Sequence, residues 1–398
     1  MSLNMNFFSK KKSILDNSYT FSIPIQLTAE AIWKSRDYRS FAENGYIKNV
    51  IAFRSIHMIA SAAASVPIIL NKNIKNDTFQ IKNHPLLKLI SQPNNTISKA
   101  EFIEGILTYK LISGNAYILM IENNNMVPKE LHLLRPDRVE IIPGRDNRPY
   151  SYRYAINDYT LDYKINKLTN YSQILHIKNF HPLNDWYGLS PIEAASYSID
   201  QHNQAGSWNQ AMLQNGARPS GALIVNAKNT NNGSLTQEQY NRLKAQVDDF
   251  YSGPRNAGRP ILLEGGLEWK EMSLSPKDMD FIESKHSSAR DIALAFGVPP
   301  QLLGIPGDNT YSNLIEARLS LWEQTVLPHL DNIISHFNNW LTPKFGNNIF
   351  LSYDKDSISV LTEKRKQLWQ YVENATFMTI NEKRAAFGLP PLDNGNIL

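Results

Sequence analysis

Two pairs of side chains in this sequence have types and spacings that could do chemistry. His176 and His181 stand five residues apart near the end of an apolar segment, and imidazoles can ligate zinc. A zinc site needs three or four ligands, and the chain contains no cysteine to complete the set. The simpler reading makes both histidines core or solvated residues. Asp354 and Asp356 could hold Mg²⁺, yet with one residue between them in an extended segment they share a face and more simply bracket a turn before Ser357. Nucleotide chemistry has no foothold either, because the phosphate loop GxxxxGK[ST], the GxGxxG fingerprint and the HExxH metal helix are all absent. No catalysis, resident metal or cofactor is therefore expected.

The residues left to carry function lie between 275 and 341, a stretch that reads as two helices joined by a loop. Ser275 can cap the first, Pro276 fits its first position, and Asp278 complements the positive helix end. Gly297 and Pro299-Pro300 predict its stop. Met279, Ile282, His286, Ala289, Ala293 and Phe296 form one stripe, facing a neighbour within the chain or in a second copy, while Lys277, Asp280, Lys285 and Arg290 lie elsewhere. The second helix is expected to begin near Ser312 or Asn313, with Glu316 as a reciprocal cap, and to carry Ile315, Leu319, Trp322, Val326, Leu330, Ile333 and Phe337. Pro328 falls inside that run and predicts a kink around Gln324 to Pro328 rather than two separate helices. Roughly thirty residues at 1.5 Å each give a rod of about 45 Å, which needs a partner along its length.

Between the helices runs Pro299 to Tyr311, longer than the two to eight residues of an ordinary helix connector. Leu302, Leu303, Ile305, Pro306, Gly307, Asp308 and Asn309 occupy it. It contains no lysine or arginine, so any contact it makes is expected to be steric rather than ionic.

Length and composition bound the rest. A chain of 398 residues with 42% hydrophobic and 20% charged residues is ordinary globular material, long enough for two or more units. The absence of cysteine excludes disulfides and thiolate chemistry and suits a reducing cytoplasm. Lys10, Lys11 and Lys12 are followed by no apolar run, and the longest uncharged apolar stretch, Ile59 to Leu70, is too short to span a bilayer. Neither a signal peptide nor a membrane anchor is expected. A net charge of +4 is small for a tight nucleic-acid binder.

Along the chain, a helix is expected from Gly45 to Ser65, with Val50, Phe53, Ile56, Ile59 and Ala60 inward, ended by Pro67. A short helix, a turn at Pro93-Asn94-Asn95 and a longer helix capped by Ser98 lead to a strand from Ala116 to Ile121. Leu131 to Ile142, Tyr150 to Ile156 and Ile174 to Ile177 read as further strands. A helix from Pro191 to Gln214 precedes a strand from Ala222 to Val225, an amphipathic helix over 235–251, and a strand pair turning at Gly265-Gly266. Asn348 to Tyr353 reads as one more strand, with helices over Leu361 to Asn374 and Asn381 to Phe387. The class is α+β.

Taken in order, GLSPIEAA (188–195), NGARPSGALIV (215–225), LLEGGLEW, FGVPPQLLG, NTYSN before a long helix, and MTINEKRAAFGLPPLDNG (378–395) resemble the portal proteins of tailed bacteriophages, a family that includes portals of prophages and gene transfer agents. The resemblance covers about residues 40 to 396. It implies a portal fold with an N-terminal arm (1–40), a wing (41–187), a first stem helix (188–215), a small α/β clip (216–274), a second stem helix (275–297), a tunnel loop (298–311), a long kinked helix (312–343), a strand returning to the wing (344–360) and a reduced helical crown (361–398). It also implies a homo-oligomeric ring of twelve subunits at one capsid vertex, assembled in the host bacterial cytoplasm. Double-stranded DNA would pass through non-specifically, with the large terminase, the major capsid protein and a head–tail adaptor as partners and no membrane involved.

In that reading the loop residues named above meet DNA, and Arg218, Arg255 and Arg259 are docking or inter-subunit residues, with solvated surface charges as the equal alternative. Tyr251, Trp269 and Met272 are then core or interface residues. The small net charge also fits, since each basic residue recurs in every subunit and strong phosphate attraction would stall a moving duplex. Two rivals stay open: a metal-dependent nucleic-acid enzyme of phage origin built on Asp354, Asp356 and the histidines, and a monomeric scaffolding or interaction module.

Overall fold

Asn49 sets the start of the central helix: its side chain accepts from the amides of Ile51 and Ala52, so the chain leaves a short helical lead and turns into a new axis. The computed structural model describes residues 37–74, 77–144, 148–214, 221–225, 237–238, 241–242, 267–271, 281–307, 311–387 and 391–396. The lead is α1 (Tyr38–Ser40), running into a π-helical turn Phe41–Ile47, and the helix that Asn49 caps is α2 (Val50–Ser65). The expected helix from Gly45 is thus two elements, because the Asn49 side chain holds the amides that a continuous helix would bond to backbone carbonyls.

Helix α2 buries Ala52, Ile56, Ile59, Ala60 and Ala63 completely or nearly so, whereas Val50 and Phe53, expected inward, are 65% and 42% exposed. Alanines at the contact let the next long helix approach closely, so the inner stripe follows small residues that a search for bulky ones passes over. After strands β1 (Ile68–Ile74) and β2 (Asp77–Ile81) come α3 (Pro85–Ser91) and α4 (Lys99–Ser113). Ser98 caps α4 as expected, and Glu101 completes a reciprocal capping box with it. Phe102, Ile103, Ile106, Leu107 and Leu111 of α4 pack into the same core as α2.

Strand β3 (Asn115–Glu122) pairs antiparallel with β4 (Pro128–Leu134) and with β8 (Ile174–Lys178). A second sheet joins β5 (Val139–Pro143), β6 (Pro149–Ile156) and β7 (Tyr159–Lys164) in the order β5-β6-β7. The single strand expected over Leu131 to Ile142 is therefore two strands in different sheets. Pro136 breaks it, opening a 3₁₀ turn over Pro136–Arg138 where a residue without an N–H cannot carry the ladder.

Past the sheets, α5 (Pro191–Ala194) and α6 (Ser196–Gln214) replace the one helix expected over Pro191 to Gln214, with the break at Ala195. Strand β9 (Gly221–Val225) pairs antiparallel with β10 (Leu267–Glu271), Leu223 opposite Trp269. Next come α7 (Phe281–Ala295), α8 (Tyr311–Ser320), a π-helical segment Leu321–Val326, and α9 (Leu327–Trp340). Leu330, Ile333 and Phe337 of α9 are fully buried in the α2–α4 core, and Phe337 stacks on Phe102 with ring centroids 6.4 Å apart.

Strand β11 (Ile349–Tyr353) lies beside β1, Leu351 opposite Leu70, closing the sheet β11-β1-β2. Helices α10 (Ser359–Glu373) and α11 (Ile380–Ala386) finish the chain; α11 starts at a Thr379–Glu382 capping box, and Trp369 meets Phe387 at 5.3 Å. Among the described residues no helix is long and apolar enough to cross a membrane.

Candidate functional site

Helices α6 and α7, the loop after them and the helix over 311–340 form one continuous unit, tied to the core at identifiable points. At the foot of α6 the Asn49 side-chain amide donates to Asn203 Oδ1 at 3.0 Å and lies 3.3 Å from His202 Nδ1, while Asn203 donates to the Asn44 carbonyl at 2.8 Å. The residue that caps α2 thus also holds α6. Burial, and next the nearby Lys285, pushes the His202 pKa below its usual value, so this junction is a network of neutral groups. Along the pair, Gln201 donates to Ser284 Oγ at 3.1 Å.

The C-terminus of α7 ends as the sequence requires. Gly297 sits at φ +66°, its amide bonds Leu294 O and the Val298 amide bonds Ala293 O, the paired bonds of a Schellman cap. Thr325 Oγ1, from the π segment, donates to the Gly297 carbonyl at 2.6 Å, which fastens the end of α7 to the middle of the long helix. A Cβ at Gly297 would lie 2.8 Å from Thr325 Oγ1, on top of the left-handed backbone. Gly297→Ala is accordingly expected to cost about 1 to 2 kcal/mol. Thermal unfolding of the variant checks this; an unchanged midpoint would mean the latch is not set by glycine.

The π segment explains Pro328. The Leu327 amide bonds the Trp322 carbonyl, one residue further back than in an α-helix, and Pro328 follows with no N–H to offer. Widening the turn just ahead of a proline relieves the ring's clash with the carbonyl four residues earlier, so the distortion expected around Gln324 to Pro328 takes the form of a π turn within an unbroken helical run. Pro328 itself is exposed. The run begins at Tyr311, one or two residues before the expected start.

The loop is not uniformly open. Pro300–Leu303 form a 3₁₀ turn, Gly304 takes φ +72°, and Ile305 is 5% exposed, in a small apolar cluster with Ala289 and Ala293 of α7, flanked by Ile51 and Leu303. Leu302 and Leu303 are partly buried against the core. Within the loop Ile305 faces its own fold, because two alanines on α7 leave a socket for it. Pro306 and Gly307 are exposed, and Arg290 of α7 donates to the Pro306 carbonyl at 2.7 Å. Asp308 and Asn309 lie outside the described residues.

Arg290 comes from α7 rather than from the loop, and sequence reasoning assigned it only to a polar face. Its sixteen-residue separation from Pro306 leaves no local signal. Two positions of the expected inner stripes are also exposed: Ile282 at 67% and Ile315 at 47%, joined by Leu294 at 78%. Arg218, Arg255, Arg259, Ser275 and Pro276, with most of 216–274 and residues 1–36, fall outside the described residues.

The residues that could do chemistry do not converge. His176 lies against Tyr117, ring centroids 4.4 Å apart, with Nε2 2.9 Å from Asn115 Oδ1, and burial pushes its pKa down to about 3. His181 instead accepts the Leu183 amide at Nδ1 in a surface loop. Asp354 Oδ1 accepts the Asp356 amide at 2.9 Å and caps the 3₁₀ turn Lys355–Ser357, the turn that the spacing suggested. Among the described residues, no group of three or more His, Cys, Asp or Glu is placed to hold a metal ion.

A family model described as phage portal protein matches residues 51–388. The chain is 49% identical to an uncharacterized protein of Rickettsia bellii over 355 residues, 89% of this chain and 90% of that one. It is 23% identical to the portal protein of Enterobacteria phage HK97 over 352 residues, covering 87% of this chain and 80% of that one. Among solved structures, a chain in the neck of an empty gene transfer agent particle, computed with C6 symmetry, is 42% identical and superposes with a TM-score of 0.70 over 91% of this chain and 96% of its own. In the C12 neck of the native particle the same coverage gives 0.68.

Proposed function

The chain belongs to the phage portal protein family, and from that premise we propose that its copies close into a ring of twelve at one capsid vertex, through which double-stranded DNA enters and leaves the particle. The observation that carries this reading is the 42% identity, at 96% coverage of the other chain, to a protein in the neck of a gene transfer agent particle resolved with six- and twelve-fold symmetry. Head-to-tail contacts between identical subunits close such a ring. The exposed Ile282, Leu294 and Ile315 support it, since apolar side chains on helices of this length are suited to burial against a neighbouring copy.

In this assignment the wing is the α2–α4 core with its sheets, α6 and α7 are the stem, 216–274 is the clip, 298–311 is the tunnel loop and α10–α11 the crown. The ring's role is structural. It nucleates the shell together with the major capsid protein, docks the large terminase that supplies ATP hydrolysis, and later receives a head–tail adaptor. Clip residues Arg218, Arg255 and Arg259 serve docking or subunit contact.

Electron microscopy of the purified full-length chain is the test. Class averages with twelve-fold symmetry around a hole wide enough for a duplex are expected. A protein that stays monomeric at assembly concentrations, or rings with no hole, would overturn the reading.

A further inference from the structure

Among the described residues, Arg290 is the one basic side chain bonded to the exposed part of the tunnel loop. One guanidinium nitrogen donates to the Pro306 carbonyl at 2.7 Å, and the residue is otherwise exposed on the same face of α7 as Ser287 and Leu294. A guanidinium carries five N–H donors in a rigid fork, so a single carbonyl leaves most of them unused. Among the described residues Arg290 has no carboxylate partner, whereas Arg39 and Arg135 each have one and Arg153 has two. A Cβ built on Gly307 would find Arg290 Nη2 as its nearest neighbour, at 4.0 Å, which places the charge beside this exposed residue of the loop.

We propose that Arg290 is a DNA-phosphate contact of the channel wall, held at the loop by the Pro306 carbonyl. The proposal rests on the portal reading above, in which this loop faces the duplex. The loop has no cation of its own, so steric contact alone was expected of it; the fold supplies the charge from the neighbouring helix, at a fixed position and once per subunit. A charge shared with a backbone carbonyl attracts phosphate without a pocket that would trap it, which suits a moving duplex.

The test uses purified rings of the full chain and a short blunt DNA duplex, with binding followed across a salt series. Arg290→Gln can keep a donor for Pro306 but loses the charge, and Arg290→Lys keeps the charge. Gly307→Asp leaves Arg290 in place and sets a carboxylate beside it, so it decides the matter should an Arg290 variant fail to assemble. Arg290→Gln and Gly307→Asp are expected to bind about tenfold more weakly at low salt, with the slope of log affinity against log salt reduced by about one or more, while Arg290→Lys keeps the slope. Wild-type behaviour of both charge-cancelling variants, or an equal loss in Arg290→Lys, overturns the phosphate contact and leaves the channel standing. A wild-type ring that takes up no duplex overturns the channel and the proposal together.

Discussion

Gly188→Ala is expected to destabilise the fold severely. Gly188 and Gly114 meet backbone to backbone: a Cβ on Gly188 would collide with the Gly114 carbonyl oxygen and would lie 2.8 Å from the Asn179 amide nitrogen and 2.9 Å from its carbonyl oxygen. Flexible side chains can move aside, but these are main-chain atoms already committed. The Asn179 amide bonds the Gly114 carbonyl at 2.9 Å, and the Gly188 amide bonds Asn115 Oδ1 at 2.7 Å. Gly114 also ends α4 at φ +77°, so the reciprocal Gly114→Ala adds a conformational penalty to the same collision.

The cost is about 4 kcal/mol or more, set against a total stability of about 5 to 15 kcal/mol for an ordinary domain. Because this contact joins the end of α4 to the segment entering α5 and α6, its loss is expected to unfold the α2–α4 core and α6 together. Soluble yield and thermal unfolding check it, with Gly206→Ala as the internal control. Gly206 lies within α6 with nothing within 4 Å of a built Cβ, and alanine there should stabilise by up to about 1 kcal/mol. Equal melting temperatures for the Gly188 and Gly206 variants would show that the close approach does not constrain the fold.

Local signals in the chain were legible where a short-range cause sets the structure. The Ser98 cap, the Gly297 stop before Pro299-Pro300 and the Asp354 turn each depend on residues within a few positions of one another. What failed depends on partners far away. Strand β1 reads as polar, with Asn71, Lys72 and Asn73, and is held between its hairpin partner β2 and β11, which lies beside it across more than 270 residues of chain. Val50 and Phe53 looked like core because they are large, but Ala52, Ala60 and Ala63 give α4 its close approach. The loop over 298–311 was legible as unusual in length, whereas its division into a packed front with Ile305 and an exposed Pro306-Gly307 follows from two alanines on α7. Arg290, which bonds the Pro306 carbonyl, was visible only as a polar position.

Acid is expected to unfold the chain well before its carboxylates would require it. His176, packed against Tyr117 and near Tyr152, Lys178 and His336, has its pKa pushed by burial down to about 3, and His329 beside Lys110 is pushed to about 4. An unfolded histidine takes up its proton near pH 6.5, while these two folded ones stay neutral. Between pH 6.5 and about 4 the unfolded state therefore binds up to two more protons than the folded state, and stability falls with falling pH by about 2 kcal/mol per unit, allowing for solvent at the ring edges. The loss is absent above pH 6.5 and complete near the folded pKa values. Lys110 acts in a separate window with the same sign: it is 3% exposed, its amine bonds the Asn332 side-chain oxygen at 2.8 Å, and burial lowers its pKa to about 8. From pH 8 towards 10.5 the folded state can shed a proton that the unfolded state keeps, so stability should rise by about 1.4 kcal/mol per unit. Denaturant unfolding at pH 7, 5.5 and 4.5 should show the acid slope, and the double variant His176→Gln, His329→Gln should flatten most of it. A slope unchanged in that variant would assign acid unfolding to the carboxylates and remove the two histidines from the explanation.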